Sequence, residues 1–334
     1  MRYFRYFFTA LLIFLASLLI YSKFKDYSYD VPQLFREANK WLIGFLILFQ
    51  IFAYGNNAWL SKILFKIAGF DIKLKDALSI AVLSILGGQL APLFGSMAIT
   101  FLFYKKMDLP SGAILFLVTI WNFVVVLIHI LFFLLSLIFI PKSYFYIIPQ
   151  QVIIAALIFT LVLIIGIYFL LKNQGKGFVH LLNSLNRIIN RVSRIFIKRD
   201  LIHIEKPKKF VADFLQSIAL LWQNKKKIPK ILLTSTMFYL ANMATLYFAF
   251  WVFGSRPEIT VLIFGYTVAL VLSIFSLMPE TPGVMEACLI LVFVTLGFPS
   301  HIALFATLLY RLFAYWLPLP LGIVSYFRLK KASE

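Results

Sequence analysis

Val82-Leu83-Ser84-Ile85 returns 189 residues later as Val271-Leu272-Ser273-Ile274, and Leu109-Pro110-Ser111 returns at the same distance as Phe298-Pro299-Ser300. Between these anchors each copy is apolar, and each is broken by Pro and Gly. The first break reads Gly87-Gly88-Gln89-Leu90-Ala91-Pro92-Leu93-Phe94-Gly95; the second reads Met278-Pro279-Glu280-Thr281-Pro282-Gly283. Paired, interrupted apolar segments in the two halves of a membrane chain are the sequence pattern of a transport site.

The surrounding composition agrees. Of 334 residues, 62% are hydrophobic, against roughly half in a soluble domain. Several runs exceed the ~18 apolar residues that a bilayer crossing needs. They are continuous rather than alternating, which excludes a β-barrel. The net charge of +19 is read as Lys and Arg collecting in cytoplasmic loops, not as a nucleic-acid footprint. A lone Cys288 allows no internal disulfide, and the scattered His129, His180, His203 and His301 carry no metal-ligand spacing. No cofactor is implied.

Full spans are expected at Phe7–Tyr21 (an uncleaved first span, since no small-x-small site follows), Trp41–Trp59, Gly112–Ile140, Val152–Leu171, Ile231–Phe253 and Ile302–Phe327. Gly55-Asn56-Asn57 is read as the polar end of the second span. Broken hairpins are expected at Asp76–Tyr104 and Ile259–Leu296. The fold class is thus all-α and polytopic: six spans plus two broken hairpins in an inverted repeat, in a single transmembrane domain. Its first half is 1–171 and its second half 231–334. Between them, 172–230 carries 14 Lys and Arg against three acids, with apolar residues on one helical face. This is a basic amphipathic linker that either binds anionic lipid or packs on the other helices. Placing the basic loops inside puts both termini in the cytoplasm. The first break then opens from the cytoplasm and the second from outside.

Ionisable groups at membrane depth are functional candidates, each costing about 2.5–3.5 kcal/mol at the bilayer centre. Here they are Glu280, Glu286, Arg311 and His129. Glu286 or Glu280 pairing with Arg311 is expected, either as a structural fastener or as a site where Arg311 meets a lipid phosphate. His129 is read as a helix-packing residue ahead of a proton relay. Pro and Gly free backbone groups at the breaks, which is tolerated only beside protein or a wet cavity. The helix beginning near Gly283 points its positive end there, and Glu286 in its first turn offsets that charge, so phosphate, a cationic head group and a proton all stay open as what the site prefers. The candidate translocation site is therefore Pro92, Gly95, Pro279, Glu280, Thr281, Pro282, Gly283, Glu286 and Arg311.

Pro279-Glu280-Thr281-Pro282-Gly283-Val284-Met285-Glu286-Ala287, then Gly297-Phe298-Pro299-Ser300, Leu308-Leu309-Tyr310-Arg311 and Leu317-Pro318-Leu319-Pro320-Leu321-Gly322, resemble the flippase-like, or lysylphosphatidylglycerol synthase transmembrane, family. It includes the membrane half of the multiple peptide resistance factor. Ala91-Pro92-Leu93-Phe94-Gly95 and Leu102–Ser111 resemble its first-half motif. The family usually reads Pro-Gly-Gly-x-Gly-x-x-Glu, whereas here Pro282-Gly283 reaches Glu286 across Val284 and Met285 alone. The resemblance implies a translocating module without the soluble synthase domain. The expected function is movement of a lipid or lipid-linked anion across the cytoplasmic membrane, with anionic lipids as partners and no nucleic acid. No ATP-binding motif is present to drive it. A membrane enzyme acting on lipid phosphates, or a scaffold for envelope-synthesis enzymes, are the rival readings.

Overall fold

The computed structural model describes residues 36–90, 95–141, 144, 154, 157, 158, 161, 162, 165, 207–275 and 283–331. The expected first span, most of Val152–Leu171 and of the basic linker, and the break residues Pro92, Pro279, Glu280, Thr281 and Pro282 lie outside the described residues.

The described chain is helical throughout. A 3₁₀ turn at Lys40–Leu42 leads into α1 (Ile43–Ile67). Then come α2 (Leu74–Leu90), α3 (Gly95–Lys106) and α4 (Ser111–Phe139). Within the linker lies α5 (Pro207–Gln223); α6 (Ile228–Val252), α7 (Ile259–Phe275) and α8 (Val284–Thr295) follow. α9 (Ser300–Arg311), a π turn (Leu312–Trp316) and α10 (Pro318–Lys331) close the chain. Among the described residues, four helical stretches are long and apolar enough to cross a bilayer: Lys40–Ile67, Ser111–Phe139, Lys225–Val252 and Ser300–Arg328. Large apolar side chains such as Ile51, Leu131, Leu233 and Val324 stay exposed on their outer faces, as lipid-facing surfaces do.

Two sequence boundaries move. α1 runs on to Ile67, so Gly55-Asn56-Asn57 lies at its middle rather than at a polar end. Gly87-Gly88 remains inside α2 rather than breaking it. Apolar residues continue on both sides of these stretches, and helical packing overrides the weak local propensity of Gly and Asn.

The duplication is visible in local geometry. α1 and α6 are each 25 residues long. The turns after them place Gly69 and Gly254 at positive φ (88° and 80°). There Phe70 N–H donates to the Phe65 carbonyl, and Ser255 N–H to that of Phe250. Ser84 and Ser273 both donate to the carbonyl three residues back (2.7 Å each). Asp108 and Gly297 share a left-handed φ before the Pro that opens α4 and α9. Phe65 meets the Tyr104 ring at 4.6 Å; its counterpart Phe250 meets Phe293 at 4.7 Å. Phe293 also sits where a Cβ on Gly265 would lie, 2.9 Å away, so Gly265 permits the close α7–α8 approach.

The repeats are inverted. Asn39 N–H donates to the Val252 carbonyl (2.9 Å), Phe45 stacks on Phe248, Gln50 Nε2 donates to Thr245 Oγ1 (2.9 Å), and Lys230 lies over Trp59. Moving forward on α1 is moving backward on α6, so these equivalent helices are antiparallel. The Phe65–Tyr104 contact brings the end of α3 back to the side on which α2 begins, and Phe250–Phe293 does the same for α8 and α7 at the opposite side. Each broken hairpin therefore enters and leaves on one side, and the two face each other.

One end of the bundle is basic. It gathers Lys62, Lys66, Lys73 and Lys75, Lys105-Lys106, the Lys225–Lys227 turn and Lys230. Arg328 pairs there with Asp76 (3.1 Å). In α5, Ile218, Leu220 and Leu221 pack on the core, so this part of the linker lies against protein.

Candidate functional site

A cavity of about 230 Å³ lies where the two repeats meet, lined from α1, α2, α3, α4, α6, α7, α8, α9 and the π turn. It shares Asn57, Ala81, Ser84, Ser96, Trp121 and Val125 with a second cavity of about 380 Å³ between α1, α2, α3 and α4. The lining is built from equivalent pairs. Tyr54 and Asn57 of α1 recur 185 residues later as Tyr239 and Asn242 of α6, and all four line the smaller cavity. So do the pairs Trp121 and Tyr310, Val125 and Ala314, and Ser96 and Met285, each 189 residues apart. Tyr54 and Tyr239 occupy the middle turns of helices long enough to cross a membrane. The cavity consequently lies midway along these helices.

Among the described residues, charge enters from one repeat only. Arg311 ends α9 and Glu286 is in the first turn of α8; both are buried, at 5% and 7% exposure. Arg311 Nε donates to Glu286 Oε1 at 2.8 Å. The other carboxylate oxygen accepts from the Gly283 N–H, also at 2.8 Å. Gly283 caps α8 with φ 85°. One carboxylate thus neutralises the arginine and satisfies a helix-start donor together. The guanidinium carbon lies 4.0 Å from the Tyr315 ring centroid, a cation–π contact that holds the plane of the fork. In the first repeat Met97 and Asn122 stand at the positions of Glu286 and Arg311, and both line the larger cavity. Arg311 lines the smaller cavity while Glu286 does not, so the cavity meets the cation first.

The π turn has a local cause. Pro318 has no N–H to give the carbonyl four residues back, that of Ala314. Leu317 N–H reaches the Leu312 carbonyl instead (2.7 Å), widening the turn. The Tyr54 hydroxyl, from the other repeat, donates to the Ala314 carbonyl at 2.6 Å. In α4 the position of Pro318 is His129. Its Nδ1 donates to the Val125 carbonyl (2.8 Å), and its ring packs edge-on to Tyr239 at 5.0 Å. His129 therefore packs between helices and also borders the cavity.

Of the residues singled out from sequence, Gly283, Glu286 and Arg311 come together in one hydrogen-bonded unit. Gly95 begins α3. Pro92, Pro279, Glu280, Thr281 and Pro282 lie outside the described residues. Sequence reading passed over Tyr54, Asn57, Tyr239 and Asn242. The Tyr-x-x-Asn repeated in two equivalent spans was the available signal.

The model of the lysylphosphatidylglycerol synthase TM region matches residues 5–322. The chain belongs to that family. Membership ties it to a lipid-related function in the membrane. A UPF0104 membrane protein of Pyrococcus horikoshii is 25% identical over 171 residues, 51% of this chain and 50% of the relative. The match spans about half the length of that curated relative.

Proposed function

We propose that the protein moves an anionic lipid, or a lipid-linked anion, between the leaflets of the cytoplasmic membrane, without a nucleotide-driven motor of its own. The observation that supports this reading most is the mid-height cavity, walled by both inverted repeats and carrying one buried arginine. Inverted repeats around a central site suit alternating access, since each half can open toward its own side. Arginine suits a phosphate, which its planar fork holds bidentately. The head group would be desolvated in the cavity while its tails stay in the bilayer. The basic end is placed in the cytoplasm, with the C-terminus, because inward-facing loops collect Lys and Arg.

The test is reconstitution of the purified chain in liposomes holding a fluorescent phosphatidylglycerol in both leaflets, with a quencher added outside. Protein that moves the lipid makes the whole signal quenchable, rather than the outer half. Arg311→Lys, which keeps charge but loses the fork, should slow the movement about tenfold, and Arg311→Ala further. Equal rates in the native and both variant proteins, or none above empty liposomes, would overturn the reading.

A further inference from the structure

The site's chemistry narrows the class of head group, and the narrowing rests on the translocation reading above. Among the described residues neither cavity is lined by an Asp or Glu. Glu286, the nearest carboxylate, is turned away and engaged by Arg311 Nε and the Gly283 N–H. A head group carrying an ammonium would lose its water in the cavity beside Arg311, and the described lining offers it no carboxylate. At this depth an uncompensated charge is costly.

The wall offers two other things. Neutral hydrogen-bonding groups ring the junction of the cavities: Asn57, Ser84, Ser96 and Asn122. Aromatic rings crowd one side, with Tyr266 set between Tyr239 (6.5 Å) and Tyr310 (6.3 Å), and Trp121 bordering both cavities. Flat aromatic faces beside amide and hydroxyl groups recognise a molecule with apolar C–H faces and many hydroxyls. The larger cavity is bordered by Met97 of α3 and Val126 of α4, both exposed. A tail can leave there.

We infer that the cargo is a lipid phosphate bearing a neutral polyhydroxylated head, a sugar above all. Its phosphate would sit at Arg311 and its ring against Trp121, and lipids with an aminoacyl head would be rejected. The family's name would suggest the opposite preference.

The experiment uses the full chain in liposomes and compares three fluorescent lipids: a polyprenyl phosphate hexose, phosphatidylglycerol and lysylphosphatidylglycerol. The hexose lipid should cross at least tenfold faster than the lysyl lipid. Trp121→Leu should slow the hexose lipid about fivefold more than it slows phosphatidylglycerol, and Trp121→Phe should restore most of that difference. A lysyl lipid that crosses as fast as the hexose lipid, or faster, overturns this inference and leaves translocation standing. Movement of none of the three by folded protein overturns both. If Trp121→Leu does not fold, the ranking of the three lipids by the native protein decides.

Discussion

Arg311 is held in the interior by a carboxylate that is itself shared. Removing the arginine takes from the buried Glu286 its guanidinium donor; removing Glu286 takes from the guanidinium its carboxylate and from the Gly283 N–H its acceptor. Breaking a buried pair by deleting one partner costs about 3–5 kcal/mol. Arg311→Ala and Glu286→Ala should each lower thermal stability in detergent, and the double variant should recover part of the loss. Strict additivity would show that the groups are not coupled. Gly283 belongs to the same unit. Its φ of 85° is one that a side chain resists, so Gly283→Ala should cost about 1–3 kcal/mol through strain alone. A melting temperature unchanged from the native protein would contradict the assigned cap.

At the scale of elements, the π turn is a repair that two repeats make together. Pro318 leaves the Ala314 carbonyl without its helical donor, and Tyr54 supplies one. Tyr54→Phe should then destabilise by about 1–3 kcal/mol, the cost of a buried polar group left unsatisfied. In a Pro318→Ala background, where the backbone donor returns, the same change should cost much less. An equal cost in both backgrounds would mean that the hydroxyl acts elsewhere.

The helices themselves were legible because apolar runs of bilayer length allow little else. The duplication was legible from Val82–Ile85 and Leu109–Ser111, whose local geometry recurs. That Arg311 would pair with Glu286 or Glu280 followed from the rarity of charge at depth, and Glu286 is the acid found on it. What remained hidden was Asn57. A polar residue beside Gly and Asn reads as the end of a span, and only the opposite repeat supplies the Asn242 that makes it a cavity wall. The helical passage through Gly87-Gly88 was hidden for the same reason: packing, not propensity, decides it.

For the whole molecule, antiparallel equivalent helices give two hairpins that face each other across the membrane, with one basic end. With Cys288 replaced by Ser, a cysteine at Glu258 should react with an impermeant thiol reagent from outside intact cells, and one at Lys226 only after lysis. Reaction of Lys226→Cys in intact cells would reverse the orientation. The central claim is that the mid-height cavity is open in turn to head groups of both leaflets. Ser84 lines both cavities. Its most direct test is a single cysteine at Ser84, again without Cys288, in sealed liposomes of neutral lipid. The account predicts labelling by impermeant reagent from either face, slowed severalfold when phosphatidylglycerol replaces part of the neutral lipid. Labelling from neither face, or from one face alone at a rate indifferent to the anionic lipid, would contradict it.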